Sequence, residues 1–273
     1  MPLSSVGRIP TGMRPRRPAD RHAFGAFPSP TRSPNLDTLD AGRRLVVPNQ
    51  GVGAGENWQA HVDRQEARCR DGESRLPDTT DADSRQRQLT RLGNAAAGAG
   101  LALLMDGRRE EATARLVGAA ERYRESFADA PPGSWGRPIG AMKARLLASD
   151  WDGAASDARW ALEAGAAESD SPIGRYAAAL ALLVLGDDEH ARIHADAIRA
   201  RDDFPREVGD ALAFLAAHDV VGYAQAVEEV LESFENRNEY LEDIPVADTV
   251  LVLQALAARR GIAVELSSPL LPS

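Results

Sequence analysis

Apolar residues recur at intervals of three and four along most of the chain. Leu89, Leu92, Ala96, Ala99 and Leu103 keep that spacing until Asp106-Gly107 interrupts it. It resumes through Ala112, Leu116, Ala119, Ala120 and Tyr123, and Pro131-Pro132-Gly133 ends it. Such a period gathers the apolar side chains on one helix face, while Gly and Pro mark where helices stop. A third helix is predicted after Pro138 on Ile139, Met142, Leu146 and Leu147. Asp150 is placed to cap a fourth, with Ala154, Ala158, Ala161 and Leu162. Pro172 opens a fifth through Tyr176, Leu180 and Leu183, closed by Gly186, and a sixth follows on Ala191, Ala195 and Ile198. A seventh begins near Pro205 with Val208, Leu212 and Leu215, and an eighth carries Val220, Ala224, Val227, Leu231 and Phe234. Asp243 is expected to cap a ninth, with Pro245 in its first turn and Val246, Val250, Leu253 and Leu256 on its face, ending at Gly261. The terminal "SSPLLPS" reads as an extended strap packed by Leu270 and Leu271.

Residues 1–81 have no such period. They hold 9 of the 17 prolines, with abundant Gly, Ser and Arg, and cannot bury enough apolar surface to offset the entropy of ordering. The expected organisation is therefore a disordered tail over 1–81 and an all-α domain over 82–273. "GVGAG", residues 51–55, has the glycines of a nucleotide-binding loop but neither the preceding strand nor the following helix.

The interruptions between helices share a spacing. Gly107 is followed five residues later by Ala112, then by Leu116 and Ala119. Ser149 leads at the same offset to Ala154, then Ala158 and Ala161; Gly186 leads to Ala191, Ala195 and Ile198. His218 leads more loosely to Tyr223, Val227 and Val230. Over residues 89–235 this pattern resembles the tetratricopeptide repeat, in which a small residue closes one helix and a second small residue lets the next helix approach it. The family's Trp, Tyr and terminal Pro positions are mostly missing here, and the period drifts. The resemblance implies stacked helical hairpins in a solenoid; the alternative is an irregular all-α bundle. In either case each hairpin has an apolar face that it must bury against its neighbours.

Charge narrows the range of partners. Residues 1–81 carry a balance of +2 and residues 82–273 a balance of −11, giving the net −9. An acidic domain repels phosphate backbones, so nucleic acid is not an expected partner. No apolar run reaches the length of a membrane span; "ALALLVLG", 179–186, reads as a buried helix, and a cytoplasmic location is the default expectation. Cys69 is the sole cysteine, which leaves no intramolecular disulfide and no cysteine-based zinc site. No cofactor motif is present, and none is expected to be bound.

Three places carry possible chemistry. His190 and His194 stand four apart on one predicted helix face, a spacing that can hold a metal, with Asp187 or Asp196 as a third ligand. The acid precedes the first His, so the HExxH arrangement is absent, and two solvated histidines are the plainer reading. Trp135, Trp151, Trp160 and Tyr176 lie near the second and third hairpins; Trp151 fits a core position, whereas Trp135, beside Pro131-Pro132-Gly133, is placed to line a groove. In "ESFENRNEYLEDIPVADTV", 232–250, the acids Glu235, Glu239, Glu242, Asp243 and Asp248 surround Arg237. Paired carboxylates support acid–base or metal chemistry only when burial perturbs them; solvated acids are the simpler alternative.

The C-terminal run "FENRNEYLEDIPVADTVLVLQALAARRGIAVELSSPLLP" resembles the end of all-α immunity proteins of bacterial toxin systems, which implies one tightly bound toxin as partner. The expectation that follows is a non-enzymatic scaffold binding a protein or peptide, with contacts at Trp135, Arg237, Glu239, Tyr240 and Glu242. The alternatives are an immunity protein and a metal-dependent enzyme built on His190 and His194.

Overall fold

The computed structural model describes residues 57–273, and among these every regular element is helical. Ten α-helices follow in order: α1 Trp58–Arg75, α2 Ala82–Met105, α3 Arg109–Phe127, α4 Gly136–Leu147, α5 Trp151–Glu163, α6 Pro172–Leu185, α7 Asp188–Arg199, α8 Arg206–Ala216, α9 Val220–Glu235 and α10 Asp248–Arg260. From α1 to α9 each helix packs against the next, and α4 with α6, then α6 with α8, form an inner row. The architecture is the expected all-α stack of hairpins. "GVGAG" and the rest of residues 1–56 lie outside the described residues.

Residues 57–75 depart from the expected tail. Asn57 caps α1 by accepting the Ala60 N–H, and the helix buries Trp58, His61, Val62 and Gln65 against α2. Two of those four residues are polar, so a scan for apolar period alone does not see the stripe. Gln65 is fully buried because its amide Nε2 donates to the Glu242 carbonyl, 2.8 Å away.

The four interruptions share one backbone solution. Gly107, Ser149, Gly186 and His218 all adopt positive φ, at 75°, 58°, 81° and 54°. At each, the residue's own N–H bonds the carbonyl three back, and the next N–H bonds the carbonyl five residues before it. This doubly bonded left-handed turn satisfies carbonyls that the helix end would otherwise leave unpaired. The residue after the turn then opens the next helix: Asp150, Asp187 and Asp219 accept the N–H of Gly153, His190 and Gly222. The second helix thereby begins after only two or three intervening residues and folds back along the first. Five residues past each turn, Ala112, Ala154, Ala191 and Tyr223 are fully buried where the paired helices cross.

The C-terminal segment runs across the stack. Beyond α9 the chain reaches a short 3-10 turn, Leu241–Asp243, which packs on α2. It then turns back as α10, which lies against α4, α8 and α9. Asp243 does not cap this helix. It sits in the short turn with φ 58°, and α10 starts only at Asp248, so Pro245 and Val246 belong to the extended approach. The cause is the packing of Ile244 and Val246, 2% and 3% exposed, into the core shared by α1 to α4. Val250, Leu253 and Leu256 of α10 enter the other core, built from α4 to α9. Leu270 is buried in that second core, Leu271 packs partly against it, and the Leu270 carbonyl accepts the Ala247 N–H, so the terminal strap holds the start of α10.

Candidate functional site

Between the inner helices and this returning segment lies a cavity of about 210 Å³. Helices α2, α3, α4, α6 and α8 form its walls, and residues 237–249 cover it. Its lining is mainly apolar, with Leu101, Leu116, Ile139, Leu147, Ile173, Val208 and Phe234. Tyr123 and Tyr176 stand inside it. The Tyr123 ring is wedged between α2 and α4, where a Cβ on Gly93 or Gly140 would come within 2.8 Å of it. Its hydroxyl donates to Asn94 Oδ1 at 2.9 Å. The Tyr176 hydroxyl has no hydrogen-bond partner among the described residues, in a side chain 6% exposed. Burial, then the charges of Glu242 and Asp248 for Tyr123 and of Asp248 for Tyr176, push both phenols well above their ordinary range, so both stay protonated.

Two guanidinium groups line the same space. Arg137, near the start of α4, is 7% exposed; its Nε donates to Ser126 Oγ at 3.0 Å and an Nη to Gln86 Oε1. Arg237, just past α9, rests on the ring of Phe234, 3.8 Å from the centroid, and its buried Nε has no acceptor. Neither forms an ion pair with a carboxylate among the described residues. Burial lowers the pKa of both; for Arg237 the charges of Asp248 and Glu207 offset that effect only in part, and for Arg137 burial acts alone. The third cation, Lys143, is neutralised by Asp248 and also donates to Thr249 Oγ1 at 3.1 Å.

The acids that surround Arg237 in the sequence are engaged elsewhere. Glu242 and Asp243 pair with Arg68 of α1, at 2.6 and 3.6 Å; Asp248 pairs with Lys143, and Glu235 accepts from Ser268. No carboxylate pair poised for acid–base work forms there. Of the residues singled out from sequence, Arg237, Glu239 and Tyr240 all line the cavity, with Glu239 exposed at its rim. Tyr240 is anchored there by its hydroxyl, which donates to the Phe234 carbonyl at 2.9 Å. Glu242 lines a second pocket beside Arg68. Trp135 does not reach the groove; it is 8% exposed in the core near Phe127, with ring centroids 6.4 Å apart. Arg137 and Tyr123 carried no motif in the sequence.

His190 and His194 share α7, but their environments diverge. His190 is exposed and its Nδ1 lies 2.9 Å from Asp187, whose carboxylate raises its pKa. His194 is half-buried with an unpartnered Nδ1, and burial lowers its pKa. Asp196 is held by Arg192 and Arg199. Among the described residues no group of three or more His, Cys, Asp or Glu is placed to hold a metal ion. Nor is any described helix long and apolar enough to cross a membrane. No family model matches the chain, and no curated protein or solved structure matches it.

Proposed function

We propose that the chain is a non-catalytic binding protein, a tetratricopeptide-like stack that recognises a protein or peptide partner at the cavity covered by residues 237–249. One observation carries this reading. In a chain of net charge −9, the guanidiniums of Arg137 and Arg237 border one apolar-walled cavity and form no ion pair with a carboxylate among the described residues. Buried charge is costly unless compensated, so a cation kept this way is suited to a negative group from outside. Capture of partners from native lysate on the immobilised full chain, repeated with Arg237→Glu, tests it. A protein retained by the wild type and lost with the variant is the expected result; recovery of nothing, or of small molecules alone, counts against it.

The immunity-protein reading is a narrower form of the same proposal. It is favoured by the −11 balance of residues 82–273, which would speed encounter with a basic toxin. A toxin-like reading frame beside the gene, and loss of that toxin's activity when the full chain is added, are the outcomes it requires.

A further inference from the structure

We propose that the cavity between α4, α6 and residues 237–249 is a binding site for a carboxylate carried on a compact apolar body. The inference rests on the reading of this cavity as the recognition site and names the chemistry that it selects.

The donors come first. The Arg237 guanidinium has no hydrogen-bond acceptor among the described residues, and it rests over the Phe234 ring. A planar guanidinium presents parallel N–H groups, which a carboxylate accepts in pairs. The Tyr176 hydroxyl, held protonated by burial, is a further donor with no acceptor in the same lining. Arg137 bonds through Nε and one Nη, leaving its other Nη without an acceptor.

Charge then fixes the valence. The ionisable side chains of the lining are Arg137, Lys143 and Arg237 against Glu239 and Asp248, apart from the protonated tyrosines. Their formal sum is one positive charge, which a monoanion cancels and a phosphate dianion overshoots. Size fixes the body. The space of about 210 Å³ exceeds the roughly 150 Å³ that admits a benzene and falls below the roughly 300 Å³ at which drug-sized pockets begin. One ring or a short aliphatic chain fits, against walls such as Ile139, Leu147 and Val208. Such a group is supplied either by a free organic acid or by the terminal carboxylate of a peptide ending in an apolar residue.

The test is calorimetric titration of the full chain with phenylacetate and hexanoate, with phenylacetamide as neutral control. Acetyl-Gly-Phe as free acid and as amide, and inorganic phosphate, complete the set. The acids are expected to bind and the amides not, with affinity weakened about tenfold or more in Arg237→Gln. Because Arg237 has no ion pair, that variant keeps its helical circular dichroism and melting temperature, so loss of binding reports the site. Arg237→Lys, which retains charge without the paired donors, recovers only part of the affinity. Binding of the peptide acid beyond that of phenylacetate assigns the carboxylate to a partner's C-terminus; binding of the free acids alone assigns it to a small molecule. The proposal is overturned if neither acid binds saturably up to about 10 mM. It is equally overturned if amides bind as well as acids, if phosphate binds best, or if Arg237→Gln binds like the wild type. Partner capture that depends on Arg237 without carboxylate binding would discard only the ligand class. Carboxylate binding without protein capture would discard only the protein partner.

Discussion

Arg260, in the last turn of α10, reaches back to Asp188, in the first turn of α7, with Nε 3.1 Å from Oδ2. The same guanidinium donates to the Leu183 and Leu256 carbonyls and is 8% exposed, so it closes the end of α6 and the end of α10 at once. Removing it takes the guanidinium from a part-buried carboxylate, which then keeps only His218 among the described residues, and removes a second donor from both carbonyls. Arg260→Ala is expected to cost about 2–3 kcal/mol. Urea unfolding should show this as a lower midpoint at unchanged slope. A loss under half a kilocalorie would mean that α10 is held by its apolar face alone.

Ala154 is fully buried where α5 crosses α4, five residues past the left-handed turn at Ser149. A leucine there has no space without separating the helix pair. Ala154→Leu is expected to destabilise by about 1–3 kcal/mol, although leucine itself suits a helix. Thermal melts of the two proteins decide it, and an unchanged melting temperature would remove the close-crossing account of the hairpins.

Two helix glycines predict opposite signs. A Cβ on Gly140 of α4 would meet the Tyr123 ring, which Gly93 blocks from the other side. Gly140→Ala should therefore destabilise by about 1–3 kcal/mol. Gly118, in α3, has nothing within 4 Å of the same added atom, and Gly118→Ala should gain up to about 1 kcal/mol from helix propensity. Chemical denaturation of the pair measures both.

Ser149 occupies a left-handed turn that glycine occupies at positions 107 and 186. Its side chain is exposed, so glycine removes the Cβ strain and little else. Ser149→Gly is expected to stabilise by about 0.5–1 kcal/mol, read as a raised urea midpoint. A lower midpoint would show that the left-handed turn is not a strained one.

His194 has its pKa depressed by burial, with the charges of Arg175 and His190 acting in the same direction. A depressed folded-state value means that the neutral form is the one the fold accepts. Its contribution is present above the unfolded value of 6.5 and is lost as pH falls through the folded value. The wild type should lose stability between about pH 7 and pH 5, and His194→Gln should flatten that slope. Equal slopes for the two proteins would assign the loss to other groups.

The hairpins were legible because their signals are local. Asp150 caps and Gly186 stops a helix through bonds within five residues, and the sequence displays both. Helix α1 was not legible because two of its buried residues are His61 and Gln65, polar side chains that a scan for apolar period passes over; Gln65 bonds a carbonyl 177 residues away. Asp243 looked like a cap, but Ile244 and Val246 are drawn into a core that belongs to α1–α4, which delays α10 until Asp248. The cavity joins Arg137 to Arg237 across the stack. The sequence showed one of the pair, as a lone cation among acids, and gave no sign of the other.

Stacks of helix pairs coupled only to their neighbours can fray from either end. Here the final helix docks onto α4, with Lys143 bonded to Thr249 across 106 positions, and that long-range tie makes a circuit of a row. Melting should then proceed as one cooperative event for the described residues. During synthesis, the middle of the stack stays unsealed until the last turns of α10 emerge.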